Sequence, residues 1–360
     1  MRKLYIDLLR LIALFYMFFQ HSVLGLLKPE DNTGIIYFLF EIVPFCPALF
    51  LFLAGFSMTF KFEKQDNPLI DNNYLFHLIK RGFLLIVCSQ LFFFFEHGFQ
   101  LPDFFVASGI LNTIGLMIII SGLLLKFKYK KIIFSILVIL LLVSTTLMGV
   151  FQIYIVPFNY GYEPISPTII YGFIGVLFGL ILISQKNPFD KRNFVLFLST
   201  IGLFIMIFYT IKFGFGKVFF SDIGRYEIVR HFHQNMLPQN ILFNSKDVSL
   251  YIARIWNFNF HSMVASLGTV FLLFGIGYLL EPFFQKVLKN NIFLPGKYAF
   301  VNYFYHLIVI ALFVVIFDFG IFSKWQFVIF IVLLFVFSYL ISFVIDRKLF
   351  RKKNKLMPSK

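Results

Sequence analysis

Charge is scarce in this chain. Asp, Glu, Lys and Arg make up 14% of its 360 residues, against about 25% in a soluble domain. That excludes an ordinary water-facing surface. With 59% hydrophobic residues and a mean hydropathy of +0.86, it implies a polytopic membrane protein. Acidic residues are rarer still, 17 against 32 Lys and Arg, which leaves a net charge of +15. A basic excess can signal nucleic acid. Here the cations sit in short loops between apolar runs, the pattern of the positive-inside rule, so no nucleic-acid partner is expected. Cysteine is almost missing. Cys46 and Cys88 both lie inside apolar runs, which excludes a disulfide framework. No Gly-rich phosphate loop, G-x-S-x-G elbow or H-E-x-x-H helix occurs either, so three common kinds of catalytic site are absent.

What is abundant is Phe, with 56 residues, read mostly as lipid-facing filler interchangeable with Ile and Leu. A helix needs about 20 apolar residues to cross the hydrocarbon core. Ten stretches qualify: 4–27, 35–60, 75–95, 103–125, 131–151, 168–184, 193–212, 263–281, 297–317 and 325–346. The expected fold is an all-α transmembrane bundle of about ten spans. An even count puts both termini on one side. The loops on that side hold most of the Lys and Arg residues, so both termini are expected in the cytoplasm. Residues 1–346 read as one transmembrane domain and 347–360 as a basic cytoplasmic tail. No internal repeat of the kind that builds two-halved transporters is evident.

One connection is out of scale. Residues 213–262 form a long outward loop, rich in Phe, His and Arg (RYEIVRHFHQN, YIARIWNFNFH). Long loops in compact domains are usually functional or disordered, and this composition is not that of a disordered segment. It is expected to fold over the outer mouth of the bundle. The N-terminus is not read as a signal peptide, because Arg10 interrupts the apolar stretch and no small-x-small cleavage site follows.

Ionisable groups within spans mark functional sites by default, since they face a bundle interior or a water-filled cavity. The first span, LYIDLLRLIALFYMFFQH, carries Asp7, Arg10 and His21. Asp7 and Arg10 are three apart and can pair. Arg10 and His21 are eleven apart, close to three turns, so they point the same way with His21 roughly 16 Å higher. Glu41 in the second span is counted to the same height as His21, where a carboxylate could orient the imidazole. NYFYH in the ninth span puts Asn302, Tyr303 and His306 around the midplane. The reading is a vertical polar line, with Arg10 low, His306 central, and His21 with Glu41 high. His231-x-His233 is a poor zinc signal without further ligands, and no metal site is expected. Glu96 and His97 sit at an outer helix end, where polar residues are ordinary.

These residues carry a resemblance. DLLRLIALFYMFFQH resembles the first-span signature of integral-membrane acyltransferases, an Arg followed by ten residues and a His. In the acyltransferase 3 family that pair is essential to activity. FCPALFLFLAGFSM is similar to the second-span pattern of the same superfamily. GILNTIGL and PISPTIIYGFIGVLFGLIL look more like the heparan-alpha-glucosaminide N-acetyltransferase branch. LPGKYAFVNYFYHLIVI resembles the late Gly-Lys…Tyr-x-x-His helix found across the superfamily. There are departures. The heparan branch usually has Asn where His21 stands, and a catalytic His in the first outer loop, which here reads KPEDNTG. The superfamily's Arg-Gly is Arg10-Leu11. The intramembrane His role is carried over, the loop His is not, and the branch stays open.

The resemblance implies transmembrane acyl transfer with acyl-CoA, such as acetyl-CoA, as cytoplasmic donor substrate and no permanently bound cofactor. Arg10, paired with Asp7, would help receive the CoA phosphates. His21, oriented by Glu41, would be the general base. Tyr303 or His306 would donate to the oxyanion. The acceptor would be a sugar or lipid-linked glycan of the cell envelope, reached at the outer side of a bacterial cytoplasmic membrane. The alternative reading is a proton-coupled transporter or flippase using the same polar line.

Overall fold

The computed structural model describes residues 3–42, 45–60, 70–97, 103–106, 109–151, 165–213, 260–287 and 290–356. The centre of the long outward loop, with His231 and His233, lies outside them, and so does the C-terminal end of the basic tail. Each of the ten apolar stretches contains helix within the described residues. We number the helices α1 (Leu4–Leu26), α2 (Gly34–Ile42), α3 (Phe45–Met58), α4 (Asn72–His97), α5 (Asp103–Val106), α6 (Ile110–Leu124), α7 (Lys130–Val150), α8 (Ile165–Ser184), α9 (Pro188–Phe213), α10 (Phe260–Val287), α11 (Leu294–Lys297), α12 (Ala299–Phe317) and α13 (Lys324–Leu356). This is an all-α polytopic bundle. Seven helices are long and apolar enough to cross a membrane, and α2 with α3 makes an eighth if the two form one span.

Two stretches depart from the simple reading. Residues 103–125 divide into α5 and α6. Gly109 stands at φ 115° immediately before α6, a backbone state that residues with a Cβ rarely adopt. In α8, Ser166 has extended dihedrals, φ −100° and ψ 137°, so the regular apolar part runs from Thr168 to Ser184. Both are shorter than the seven helices long enough to cross a membrane.

The described residues form two compact units, one of residues 3–46 and 273–356, the other of residues 47–272. The second is built on close approaches between small residues. A Cβ on Gly55 of α3 would lie 2.0 Å from the carbonyl oxygen of Gly172 in α8, and one on Gly175 would lie 2.1 Å from that of Phe52. Gly82 of α4 and Gly115 of α6 meet in the same manner, as do Gly202 of α9 and Gly268 of α10. Lipid offers apolar helices no hydrophobic drive to associate, so backbone contact of this kind carries much of the packing. Phe serves both environments. Phe52, Phe56, Phe178 and Phe271 pack ring on ring, while Phe83 and Phe204 are exposed, as lipid-facing residues should be.

The first unit holds α1, α2, the end of α10, and α11–α13. The N-terminus of α1 has no cap of its own. Glu281 of α10 supplies one, accepting from the Leu4 N–H at 2.8 Å, and a carboxylate there also suits the helix dipole. At the other end the chain turns extended at Leu27 and pairs with Phe322, with Phe322 N–H donating to Leu26 O at 2.8 Å and Lys28 N–H to Phe322 O at 3.0 Å. Gln326 then caps the start of α13, its Oε1 accepting from Ser323 N–H at 2.8 Å and from Ser323 Oγ at 3.0 Å.

α1 and α12 run parallel with a fixed register. A Cβ on Gly296, in α11, would lie 1.9 Å from the carbonyl oxygen of Asp7, and one on Gly25 would lie 3.2 Å from Ile310. The chain therefore enters α12 beside the Asp7–Leu11 turn, above the start of α1.

Candidate functional site

That register decides where the histidines meet. Leu11 to His21 and Gly296 to His306 are both ten residues, roughly 15 Å of helix rise. The two imidazoles consequently lie side by side, ring centroids 5.3 Å apart and planes crossed at 74°. Counting from helix ends put His306 below His21. The structure raises it to the same level, because Gly296, just ahead of α12, lies beside Leu11, about two turns up α1.

His306 is fully buried. Phe18 covers one face at 4.6 Å and 29°, and Tyr303 presents its edge at 5.4 Å. His306 Nδ1 lies 3.2 Å from the carbonyl oxygen of Asn302. A carbonyl only accepts, so Nδ1 carries the hydrogen. Nε2 is buried and has no hydrogen-bond partner. His21 is half-buried, the more accessible of the two.

Asn302 anchors this arrangement. Its Nδ2 lies 2.8 Å from Ser342 Oγ and 3.1 Å from the carbonyl oxygens of Pro295 and Tyr298, sharing two hydrogens among three acceptors. Ser338 Oγ donates to its Oδ1 at 2.7 Å. One buried amide thus ties α11, α12 and α13 together. Asn302→Ala should destabilise the protein by about 1–3 kcal/mol for each buried partner left unsatisfied. A thermal melt in detergent checks this, and an unchanged midpoint would contradict it.

Arg10 pairs with Asp7 at 3.7 Å, Asp7 buried and Arg10 half-buried. The same end of the unit holds Lys297 and Tyr298, both bonded to Asp346 of α13. Burial opposes the Lys297 charge, yet its bonds to Asp346 and Tyr298 hold the ammonium above the usual lysine range. Burial, and then the bond to Asp346, push the Tyr298 phenol up. Glu41 falls on α2, but its side chain lies outside the described residues. The structure therefore brings His21, His306 and Tyr303 together and joins Arg10 to Asp7.

Two groups escaped the sequence reading. Asn32, in the turn after α1, is buried with neither amide atom bonded, and Ser22 Oγ beside His21 is likewise buried and unbonded. In sequence Asn32 looks like a turn residue and Ser22 like small helix filler. Only burial without a partner distinguishes them. Among the described residues, no group of three or more His, Cys, Asp or Glu side chains converges as a metal site would require.

Residues 2–213 match the family model of the heparan-alpha-glucosaminide N-acetyltransferase catalytic domain, more than half of the chain. The chain belongs to this family. No curated protein matches it. Family and apolar helices together make it an integral, multi-pass membrane acyltransferase. The match includes α1 with Asp7, Arg10 and His21 and ends before α12. The heparan-alpha-glucosaminide N-acetyltransferase-like half thus carries one histidine of the pair, and the C-terminal helices supply the other.

Proposed function

We propose that this acyltransferase moves an acyl group, by family an acetyl group, from acyl-CoA on the cytoplasmic side to a carbohydrate hydroxyl or amine on the opposite side. The observation that carries the reading is the placement of His21 beside His306, about 16 Å along α1 from the Asp7–Arg10 pair. The charged end of the unit is the one that the bias of the short loops assigns to the cytoplasm. CoA phosphates need cations there, and Arg10 with the basic loops suits them. The pantetheine arm is thin enough to reach upward, which would bring the thioester to His21.

His21 is the general base in this reading. It takes the proton from the acceptor as that atom attacks the thioester carbonyl. Glu41 is the candidate carboxylate for orienting it. Tyr303 is the candidate donor to the oxyanion. The acceptor is proposed to be a sugar of the cell envelope, held by the aromatics of the 213–262 loop, and the membrane a bacterial cytoplasmic membrane with both termini inside.

Thermal stability tests the donor. A ligand that binds only the native state stabilises it by about 2.7 kcal/mol at 100 times its Kd. Acetyl-CoA should raise the melting temperature of the detergent-solubilised protein, and ATP should not match it. No shift with any acyl-CoA would overturn acyl-CoA donation and return weight to a transporter using the same polar line.

A further inference from the structure

We propose that His306 is a proton-sharing positioning residue that acts through His21, so that the two imidazoles work as one base. The inference rests on the reading of His21 as the group that meets the acceptor.

Burial divides the roles. His306 is fully enclosed, under Phe18 and against the edges of His21 and Tyr303, so substrate reaches His21 first. Hydrogen bonding fixes the direction. The Asn302 carbonyl holds the Nδ1 hydrogen of His306, and the Asn302 side chain is itself held by Pro295, Tyr298, Ser338 and Ser342. The neutral ring therefore keeps its lone pair on Nε2, since the bond made by one ring nitrogen sets the state of the other. That atom is buried without a partner, a costly state for a polar group unless it is used. Among the described residues, the titratable groups whose rings lie against His306 are His21 from α1 and Tyr303 from its own helix. Its one N–H is already committed, which leaves the oxyanion to Tyr303 rather than to His306.

The step balances as follows. The acceptor oxygen or nitrogen forms its bond to the thioester carbonyl carbon while its proton passes to His21. A small turn of the two rings brings the opposite N–H of His21 within hydrogen-bond reach of His306 Nε2, and its proton passes to that atom. His306 then holds a hydrogen on each nitrogen, the Nδ1 hydrogen still on Asn302. When the carbon–sulfur bond breaks, the CoA thiolate takes the proton back through His21. Both rings return to neutral, and the products are the acylated acceptor and free CoA thiol.

The test uses the full chain in detergent with acetyl-CoA and acceptor. His306→Gln keeps a polar side chain of similar size but cannot share a proton. It should lower kcat by about 10²-fold, with the KM for acetyl-CoA and the melting shift with acetyl-CoA unchanged. Solvent isotope measurements across mixtures of light and heavy water should give a curved, two-proton dependence for the native chain and a linear one for His306→Gln. Should that variant fail to fold, ¹⁵N spectra of histidine-labelled native protein decide, since they report whether His306 carries its hydrogen on Nδ1. A fully active His306→Gln protein with the curved dependence retained, or an Nε2–H ring in the spectra, would overturn the proposal. Loss of the acetyl-CoA shift in the native protein would instead strike the functional reading beneath it.

Discussion

His21→Ala should abolish detectable acyl transfer, a loss of about 10²–10⁴-fold if the side chain is a general base. The protein should stay folded. His21 is half-buried, and its ring sits against another side chain rather than at a backbone crossing. Its removal leaves His306 with one fewer ring neighbour while Phe18 and Asn302 keep their places. Size-exclusion behaviour and the acetyl-CoA melting shift should therefore match the native chain. The measurement that matters is turnover with both substrates saturating. A fully active His21→Ala protein would sink the mechanism, because no other described histidine on this unit is accessible to an acceptor in the same position.

Gly296→Ala should be the most damaging single methyl group in the first unit. The added Cβ would lie 1.9 Å from the Asp7 carbonyl oxygen and 3.0 Å from the Leu11 nitrogen. Both are backbone atoms, so no side chain can swing aside. Overpacking typically costs about 1–3 kcal/mol and sometimes more. Here the helices must also part or slide to admit the methyl. Sliding would shift His306 against His21, so activity should fall further than the loss of folded protein accounts for. Yield of folded protein and specific activity per folded molecule, compared with Gly25→Ala, separate the two effects. At Gly25 the nearest contact is a side-chain methyl of Ile310 at 3.2 Å, which can yield. Equal, mild effects at both positions would contradict the register argument.

Much of this architecture was legible in the sequence. Apolar run length located the helices, and ionisable residues within those runs picked out Asp7, Arg10, His21 and His306. What could not be read was relative height. Helix rise is uniform, so depth can be counted from a boundary, but Gly296, which leads into α12, lies beside Leu11 rather than at the level of Leu4. That offset depends on Gly296 meeting the α1 backbone, a contact between residues far apart in the chain. The break at Gly109 has the same character. A glycine inside an apolar run is common in membrane helices, and only its φ shows that it ends one. In sequence Asn302 is a polar residue near midspan, but its work as a three-helix anchor depends on Ser338 and Ser342, which look like ordinary filler in α13.

The pairing of α1 with α10–α13 also imposes an order on biosynthesis. The Leu4 amide and its Glu281 cap are separated by 277 residues. At about 5–20 residues per second, α1 is made and inserted roughly 15–55 s before the helix that caps it exists. Throughout that interval Asp7, Arg10 and His21 stand in the bilayer without Glu281, Gly296 or His306. The half of the chain that carries the family match must therefore wait in the membrane, incomplete, until its last helices arrive. Truncation anywhere before α12 removes the second histidine, however well the earlier helices have packed.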